Sequence, residues 1–176
     1  IPYGLAAKLA APERPVVALS GDGAMQMAGL SELITVSRLW PRWADPRFVL
    51  MVLNNRELAE VTWEQREMEG DPRFEQSQAL PDFSYARYAE LLGLQGIRVE
   101  DPAQIGPAWD AALDAVRPVL IEVLSDPDVP LLPPFPAGRS KGQEMMDALE
   151  KEGPDTAHAR ELLQEYLRQE EDLAGS

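Results

Sequence analysis

Two short apolar runs that each stop at a turn constrain the fold of this chain more than any other feature. Residues 16–19 (Val-Val-Ala-Leu) lead into Gly21-Asp22-Gly23, and residues 48–53 (Phe-Val-Leu-Met-Val-Leu) lead into Asn54-Asn55. Between them, apolar residues recur at helical spacing over residues 25–39. Short apolar runs with β-branched residues, separated by a helical pattern, are typical of buried parallel strands. The sequence therefore predicts two buried strands with a helix between them.

The same alternation continues as far as residue 124. Ser84 is a suitable N-cap for a helix that extends to residue 92, and Gly93 is a suitable stop. Residues 97–99 and 119–124 have the composition of strands, and Asp101-Pro102 is expected to open a helix to about residue 116. This alternation predicts an α/β fold with a doubly wound, mostly parallel sheet flanked by helices. The polar residues 56–80 are assigned no regular element.

A proline-rich stretch divides the chain. Five prolines fall within ten residues, at Pro127, Pro130, Pro133, Pro134 and Pro136. Such a segment predicts a semi-rigid, extended connector. Beyond it, residues 140–152 and 155–172 have amphipathic helical patterns. We therefore expect one α/β domain over residues 1–135 and a helical C-terminal tail over residues 136–176.

The composition excludes several functional classes. A net charge of −14 over 176 residues argues against nucleic-acid binding, which needs clustered lysine and arginine side chains. No apolar run approaches the roughly 18 residues of a membrane span, so none is expected. The chain has no cysteine, which excludes disulfides and thiol catalysis, and we expect a cytoplasmic protein. It begins at Ile1 without a signal-peptide pattern or an initiator Met, so we expect a further part upstream.

The ends of the first two strands carry the residues that indicate chemistry. In a doubly wound sheet both ends lie at the carboxyl edge, where ligands bind. Gly21 and Gly23 allow the backbone to approach an anion closely, and a helix that starts near Ala24 offers free N–H groups. Asp22 would repel a phosphate unless a divalent cation lay between them. Mg²⁺ prefers carboxylate, phosphate and water oxygens, and the side-chain oxygen of an asparagine fits the same shell.

These motifs resemble those of thiamine-diphosphate enzymes of the pyruvate-oxidase and acetolactate-synthase kind. Members of that family have a Gly-Asp-Gly motif followed about thirty residues later by an Asn-Asn pair, and here Gly21 to Asn55 spans 35 residues. The resemblance continues through Asp82-Phe83 and residues 91–99 and 118–123, and it covers roughly residues 1–135. It implies that this chain is the domain that binds the diphosphate end of the cofactor.

The resemblance also implies roles for individual residues. Asp22 and Asn55 would ligate Mg²⁺ through their side chains, and Glu57 through its main-chain carbonyl, whereas Asn54 would shape the turn. Main-chain atoms would contact the diphosphate at three positions, which are Gly21, Gly23 and Ala24.

A second group of implied roles lies beyond the Asn-Asn pair. Val61 would contact the thiazolium ring or line the substrate pocket, and Glu64 would face the reacting centre, whereas a packing role is expected for Trp63. Ala59-Glu60 stands where family members often have a glycine and then a methionine or phenylalanine, which puts the local geometry of this segment in doubt.

The implied activity is decarboxylation of a 2-oxo acid, followed by oxidation or carboligation. The glutamate that activates the cofactor lies in a pyrimidine-binding domain of such enzymes, so that domain is expected from the missing N-terminal part or from a neighbouring subunit of a homodimer or homotetramer. The resemblance leaves the 2-oxo acid open. It allows FAD in the full-length protein, because flavin binds in a middle domain that these residues do not contain.

Other interpretations explain fewer residues. A nicotinamide-binding domain would need a third glycine where Gln26 stands. An Mg²⁺-dependent phosphatase or a response-regulator-like domain would explain Asp22 but not Asn54-Asn55. His158 is the only histidine, in the polar tail, where a surface role is expected. The main alternative is a non-catalytic fragment or assembly module that keeps this fold.

Overall fold

The computed structural model of the protein describes residues 1–131 and 138–174, without the side chains of 138–140, 170, 173 and 174. These residues form two compact units. The first consists of residues 1–56 and 81–125, and the second of residues 57–80 and 126–176. No helix in the described ranges has both the length and the apolar character that crossing a bilayer requires.

The first unit contains a parallel sheet and the helices that connect its strands. Its strands are β1 (Val16–Gly21), β2 (Phe48–Asn54), β3 (Gln95–Val99) and β4 (Val119–Leu124). Its α-helices are α1 (Pro2–Ala10), α2 (Asp22–Ala28), α3 (Leu30–Leu39), α6 (Tyr85–Leu91) and α7 (Ile105–Leu113), and short 3-10 helices span Trp40–Arg42 and Pro102–Gln104. Within the described residues the strand order is β1-β2-β4-β3, and every pairing is parallel.

Strand β2 is buried on both faces of the sheet. Phe48, Leu50 and Val52 pack into a cluster with residues of α1, α2, α3 and α6, whereas Val49 and Met51 pack into a second cluster with residues of α7. Successive side chains of a strand point to opposite faces, so an uninterrupted apolar run is required where helices cover both. The predicted α/β fold with a doubly wound parallel sheet is confirmed.

The second unit is helical. It contains α4 (Ala59–Glu69), α5 (Glu75–Gln78), α8 (Gly138–Glu152), a 3-10 helix (Pro154–Thr156) and α9 (Ala157–Ala174). Trp63 of α4 is fully buried in a cluster with Met145 and Leu149 of α8 and Leu163 of α9. Arg66 reinforces this packing, because its guanidinium donates two hydrogen bonds of 2.8 Å to the carboxylate of Glu152. The predicted helical tail is confirmed, and it packs against α4.

Several element bounds differ from the sequence prediction. Residues 25–39 do not form one continuous helix, because the helical conformation is interrupted at Gly29, between α2 and α3. A side chain there would be strongly hindered, since a Cβ would lie 2.3 Å from the sulfur of Met25. The helix expected from Asp101 begins with a 3-10 turn and ends at Leu113. Part of the predicted proline-rich connector, residues 132–137, lies outside the described residues.

The largest difference is helix α4, which occupies part of the segment that was assigned no element. Only four of its residues are buried, Ala59, Thr62, Trp63 and Arg66, and two of these are polar. The helix ends at Gly70, whose φ of 63° is a left-handed conformation that glycine adopts without strain. A polar buried face gives no clear apolar periodicity, which explains why the sequence did not predict this helix.

Candidate functional site

The carboxyl ends of β1 and β2 lie side by side in the first unit. The two strands pair in parallel, with Gly21 opposite Leu53. Asp22 therefore begins α2 beside the turn that follows β2. The turn contacts the carboxylate directly, because the backbone N–H of Arg56 donates a hydrogen bond of 2.6 Å to Asp22 Oδ2. The two predicted motifs thus meet at one edge of the sheet.

The Asp22 carboxylate lies in an unusual electrostatic position. The residue is only 3% exposed, and Oδ1 accepts a hydrogen bond of 2.9 Å from the backbone N–H of Gly23. Burial raises the pKa of the Asp22 carboxyl, while hydrogen bonds from the backbone of Arg56 and Gly23 act in the opposite direction. Among the residues that the structure describes, no lysine or arginine side chain forms an ion pair with it.

This environment fits a divalent cation. A buried carboxylate that only backbone groups accompany lacks the positive charge that normally offsets its desolvation. A cation beside Asp22 would supply that charge, and Asn55, half-buried in the adjoining turn, offers an uncharged oxygen. Gly21 is exposed and a Cβ there would meet no protein atom within 4 Å, so the backbone borders open space. These residues therefore suit a metal ion that carries phosphate.

Two residues that the sequence did not single out for the site hold the start of α2. Tyr85, fully buried at the start of α6, donates a hydrogen bond of 3.3 Å from its hydroxyl to the carbonyl of Asp22. The same hydroxyl accepts a hydrogen bond of 2.9 Å from the side-chain amide of Gln26. The contacts link residues 59 and 63 positions apart, so no local pattern could have indicated them.

Comparison with known proteins agrees with this geometry. The sequence profile of a family described as "Thiamine pyrophosphate enzyme, C-terminal TPP binding domain" matches residues 1–123, which contain both strand ends and the Asp22 environment. The chain belongs to this family. Thiamine pyrophosphate (TPP) is another name for thiamine diphosphate, so the resemblance noted in the sequence is confirmed at the level of the family.

Individual relatives support the same assignment. The TPP-binding domain is 36% identical over 138 residues to the mitochondrial acetolactate synthase catalytic subunit of Aspergillus candidus, covering 78% of this chain and 19% of that protein. It is 34% identical over 118 residues to the acetolactate synthase isozyme 3 large subunit of Escherichia coli (strain K12), covering 66% of this chain and 19% of that protein.

A solved structure extends the agreement to three dimensions. The thiamine diphosphate-dependent 4-hydroxybenzoylformate decarboxylase of Rhodococcus jostii RHA1 matches with a TM-score of 0.61 and 26% sequence identity. The match covers 72% of this chain and 22% of the decarboxylase. The TPP-binding domain thus spans about a fifth of the length of the relatives that it matches.

The remaining predicted site residues lie in the second unit. The Glu57 carboxylate accepts a hydrogen bond of 2.7 Å from the Thr62 hydroxyl and lies 3.1 Å from Nε of Arg73, so its side chain is engaged within that unit. Val61 and Glu64 are exposed residues three positions apart on α4, which places them on one face of the helix. Their predicted roles in the substrate pocket, and that of the Glu57 carbonyl, remain predictions.

Proposed function

We propose that this chain binds the diphosphate end of thiamine diphosphate through a Mg²⁺ ion held by the side chains of Asp22 and Asn55. The observation that carries the proposal is the buried Asp22 carboxylate, which one hydrogen bond joins to the turn after β2. In the part of the chain that the structure describes, backbone N–H groups are its only hydrogen-bond donors. The carbonyl of Glu57 is the proposed third ligand. Main-chain atoms of Gly21, Gly23 and Ala24 contact the diphosphate.

At this end of the cofactor, the protein residues hold the cofactor in position and take no part in the bonds that form or break. When bound, thiamine diphosphate supplies the electron-accepting ring that decarboxylation of a 2-oxo acid requires. Asp22 offsets the charge of the metal, and the Asn55-Arg56 turn keeps its carboxylate in one orientation through the bond from Arg56 N. The buried Tyr85 fixes the main chain of Asp22 and so the direction of α2. Rigid anchoring of this kind places the cofactor for reaction.

The proposed enzyme is larger than this chain. Because the chain spans about a fifth of its relatives, we assign the pyrimidine-binding domain to another part of the protein or to a neighbouring subunit. A homodimer or homotetramer suits the sheet, since Val17 and Leu19 on one face of β1 are 51% and 67% exposed. Oxidation or carboligation as the step after decarboxylation, FAD in the full-length protein and a cytoplasmic location are carried forward as predictions. The isolated chain is expected to be inactive.

Helix α4 carries the residues proposed to meet the substrate. Val61 and Glu64 lie on its exposed face, opposite the buried Trp63. In the enzyme that contains the pyrimidine-binding domain, Val61→Ala and Glu64→Gln are expected to lower kcat/KM for the 2-oxo acid, whereas Glu69→Gln, an exposed glutamate on a different side of the same helix, serves as the control. Equal kinetics in all three variants would remove Val61 and Glu64 from the proposed site.

Calorimetry tests the cofactor assignment. Thiamine diphosphate is titrated into the chain in the presence of Mg²⁺ and again with EDTA, and turnover is assayed with a panel of 2-oxo acids. We expect Mg²⁺-dependent binding without turnover. Asp22→Ala should abolish this binding, whereas Asp45→Asn, which alters another buried carboxylate of the first unit, should preserve it. Absence of binding by the unaltered chain would instead favour a non-catalytic assembly module.

A further inference from the structure

A buried glutamate in the middle of β4 has no role in the assignments above. Glu122 is the only charged residue in the apolar strand Val119–Leu124, and it is fully buried. It lies opposite Val52 of β2 on one side and Arg98 of β3 on the other. Replacing a buried ionic group by an apolar residue is often neutral or stabilising, so stability alone does not explain a carboxylate at this position.

The Glu122 carboxylate accepts hydrogen bonds from three residues, and one of them, Asn54, is the last residue of β2. Oε1 accepts a hydrogen bond of 2.8 Å from the side-chain amide of Asn54 and another of 3.1 Å from Nη1 of Arg98. Oε2 accepts a bond of 3.0 Å from the backbone N–H of Ala86. The Asn54 side chain is itself only 2% exposed, so the contact is shielded from water. A charged acceptor strengthens such bonds, and a low-dielectric surrounding strengthens them further.

Asn54 is therefore held to β4 twice. Its side chain is held by Glu122, and its carbonyl accepts a hydrogen bond of 3.0 Å from the backbone N–H of Ser125. Both contacts fix the last residue of β2 immediately before the turn that contacts Asp22. The first Asn of the Asn-Asn pair thus has a partner that accounts for its side chain without a metal.

The turn after Asn54 needs such support. Arg56 has a φ of 61°, the left-handed conformation that residues other than glycine rarely adopt. This conformation is maintained only where surrounding contacts determine it. It is also the conformation in which the Arg56 N–H reaches the Asp22 carboxylate at 2.6 Å. If Asn54 lost these contacts, the turn would no longer be held in this conformation. The Asp22 carboxylate would then lose its fixed orientation.

We propose that Glu122 is a positioning residue for the cofactor site: through Asn54 it sets the turn at Asn55 and Arg56 against Asp22. The effect on metal binding rests on the proposed function, whereas the effect on the turn does not. Glu122 touches neither cofactor nor metal. Its contribution is to fix two neighbouring strand ends at the distance that a shared metal requires.

Hydrogen exchange tests the turn without any ligand. In Asn54→Ala and in Glu122→Gln, the Arg56 amide should exchange at least about tenfold faster, because a hydrogen bond to a charged group is lost from its support. Glu100→Gln is the matched control. Glu100 also pairs with Arg98, at 2.7 Å, but its side chain is 61% exposed. Unchanged protection of Arg56 in both variants would overturn the proposal.

Titration of Mg²⁺ in the presence of thiamine diphosphate tests the consequence for the cofactor. Residues that support metal ligands typically change affinity by about 10- to 100-fold when altered, and we expect a loss of this size in Glu122→Gln and Asn54→Ala. The Asn54→Asp variant should bind Mg²⁺ at least as poorly, since its new carboxylate would lie against the carboxylate of Glu122 and repel it. The double variant Asn54→Asp with Glu122→Gln restores a donor and an acceptor, and it should recover affinity to within about threefold.

The outcomes separate the two proposals. If the unaltered protein binds no Mg²⁺ and thiamine diphosphate, the proposed function fails, and the Arg56 amide still decides whether Glu122 positions the turn. If it binds and the single variants bind equally well, the positioning role fails. Thermal unfolding of each variant supplies the last control. If the loss of Mg²⁺ affinity in each variant is proportional to its loss of thermal stability, and the double variant does not recover affinity, Glu122 is a structural residue and the proposal is overturned.

Discussion

Asp22, a proposed metal ligand, opposes the stability of the fold around it when it is ionised. Its carboxyl is buried, and burial raises its pKa, so the ionised form is less favourable in the folded chain than in the unfolded one. A group of this kind stabilises the fold when protonated, and that contribution is lost as the pH rises through its raised pKa. At neutral pH the charge is therefore a local disadvantage that a bound cation would remove.

The variant Asp22→Asn should separate stability from binding. Without ligand at pH 7, we expect its free energy of unfolding to stay within about 1 kcal/mol of that of the unaltered chain, because removal of a desolvated charge offsets the loss of one of the two backbone hydrogen bonds that the carboxylate accepts. Mg²⁺ with thiamine diphosphate at one hundred times the Kd should stabilise the unaltered chain by about 2.7 kcal/mol and the variant hardly at all. Urea unfolding with and without ligand measures both effects. An equal gain in both proteins would show that Asp22 does not hold the metal.

Asp45 shows the opposite behaviour. The guanidinium of Arg47 donates hydrogen bonds to both of its oxygens and lowers the pKa of Asp45 to about 2. A depressed pKa contributes stability that is present above the unfolded value of 3.8 and is lost as the pH falls toward 2. We expect Asp45→Asn to lower the free energy of unfolding by about 1 kcal/mol at pH 7, since the partly exposed Arg47 weakens the pair.

Urea unfolding as a function of pH checks this prediction. The difference between Asp45→Asn and the unaltered chain should shrink steadily between pH 4 and pH 2, the window set by the two pKa values. A constant difference across that window would mean that the loss arises from packing and not from the ion pair.

At the level of elements, the sequence predicted the strands better than the helices. All four strands were predicted, and three of them are short apolar runs, whereas β3 contains Gln95 and Arg98. The strands predicted over residues 16–19 and 48–53 extend in the structure to Gly21 and Asn54. Helix α4 was missed, because the Arg66 that it buries is polar and its partner Glu152 is 86 residues away. The Asp22 and Asn55 motifs could be read locally. Glu122 could not, since its role depends on Asn54, which is 68 residues away.

Two glycines offer a matched test of how closely β3 and α6 pack. A Cβ at Gly96 of β3 would lie 2.2 Å from the carbonyl oxygen of Ala86 in α6, and a backbone atom of a packed helix has little freedom to move. We expect Gly96→Ala to lower the free energy of unfolding by about 1–3 kcal/mol through this overlap. Denaturant unfolding measures it.

Gly106 of α7 is the control for this substitution. A Cβ there would meet no atom within 4 Å. Gly106→Ala should therefore raise the free energy of unfolding by roughly 0.5–1 kcal/mol, since alanine favours a helix over glycine. A neutral or stabilising Gly96→Ala would show that β3 and α6 are separated more widely than in the structure.

For the whole molecule, the order of the chain and the division into units do not coincide. Residues 57–80 lie between β2 and α6 in sequence, yet they belong to the same compact unit as residues 126–176. The cluster around Trp63 combines α4 with α8 and α9. The sequence predicted a boundary at the proline-rich stretch, near residue 135. Helices α4 and α5 are the elements on which the two divisions disagree.

Truncation after residue 131 decides between them. If residues 1–135 fold as one domain, α4 should keep its amide protection when α8 and α9 are removed. The cluster predicts the reverse, because truncation removes the partners of the fully buried Trp63 and also Glu152, which pairs with Arg66. We expect hydrogen exchange to show residues 59–69 unprotected in the truncated chain, while the strands of the sheet stay protected.

Trp63→Ala in the full chain gives the same test without deletion. Removing a buried tryptophan costs about 3–5 kcal/mol, which should raise exchange in both α4 and α8 and leave β2 unchanged. Val61→Ala on the exposed face of α4 should leave exchange in α8 unaltered. Since α4 also carries Val61 and Glu64, this outcome would make the C-terminal helices the support for the proposed substrate-facing residues. If the amides of α4 instead stay protected from exchange after truncation, the domain boundary lies near residue 135, as the sequence predicted.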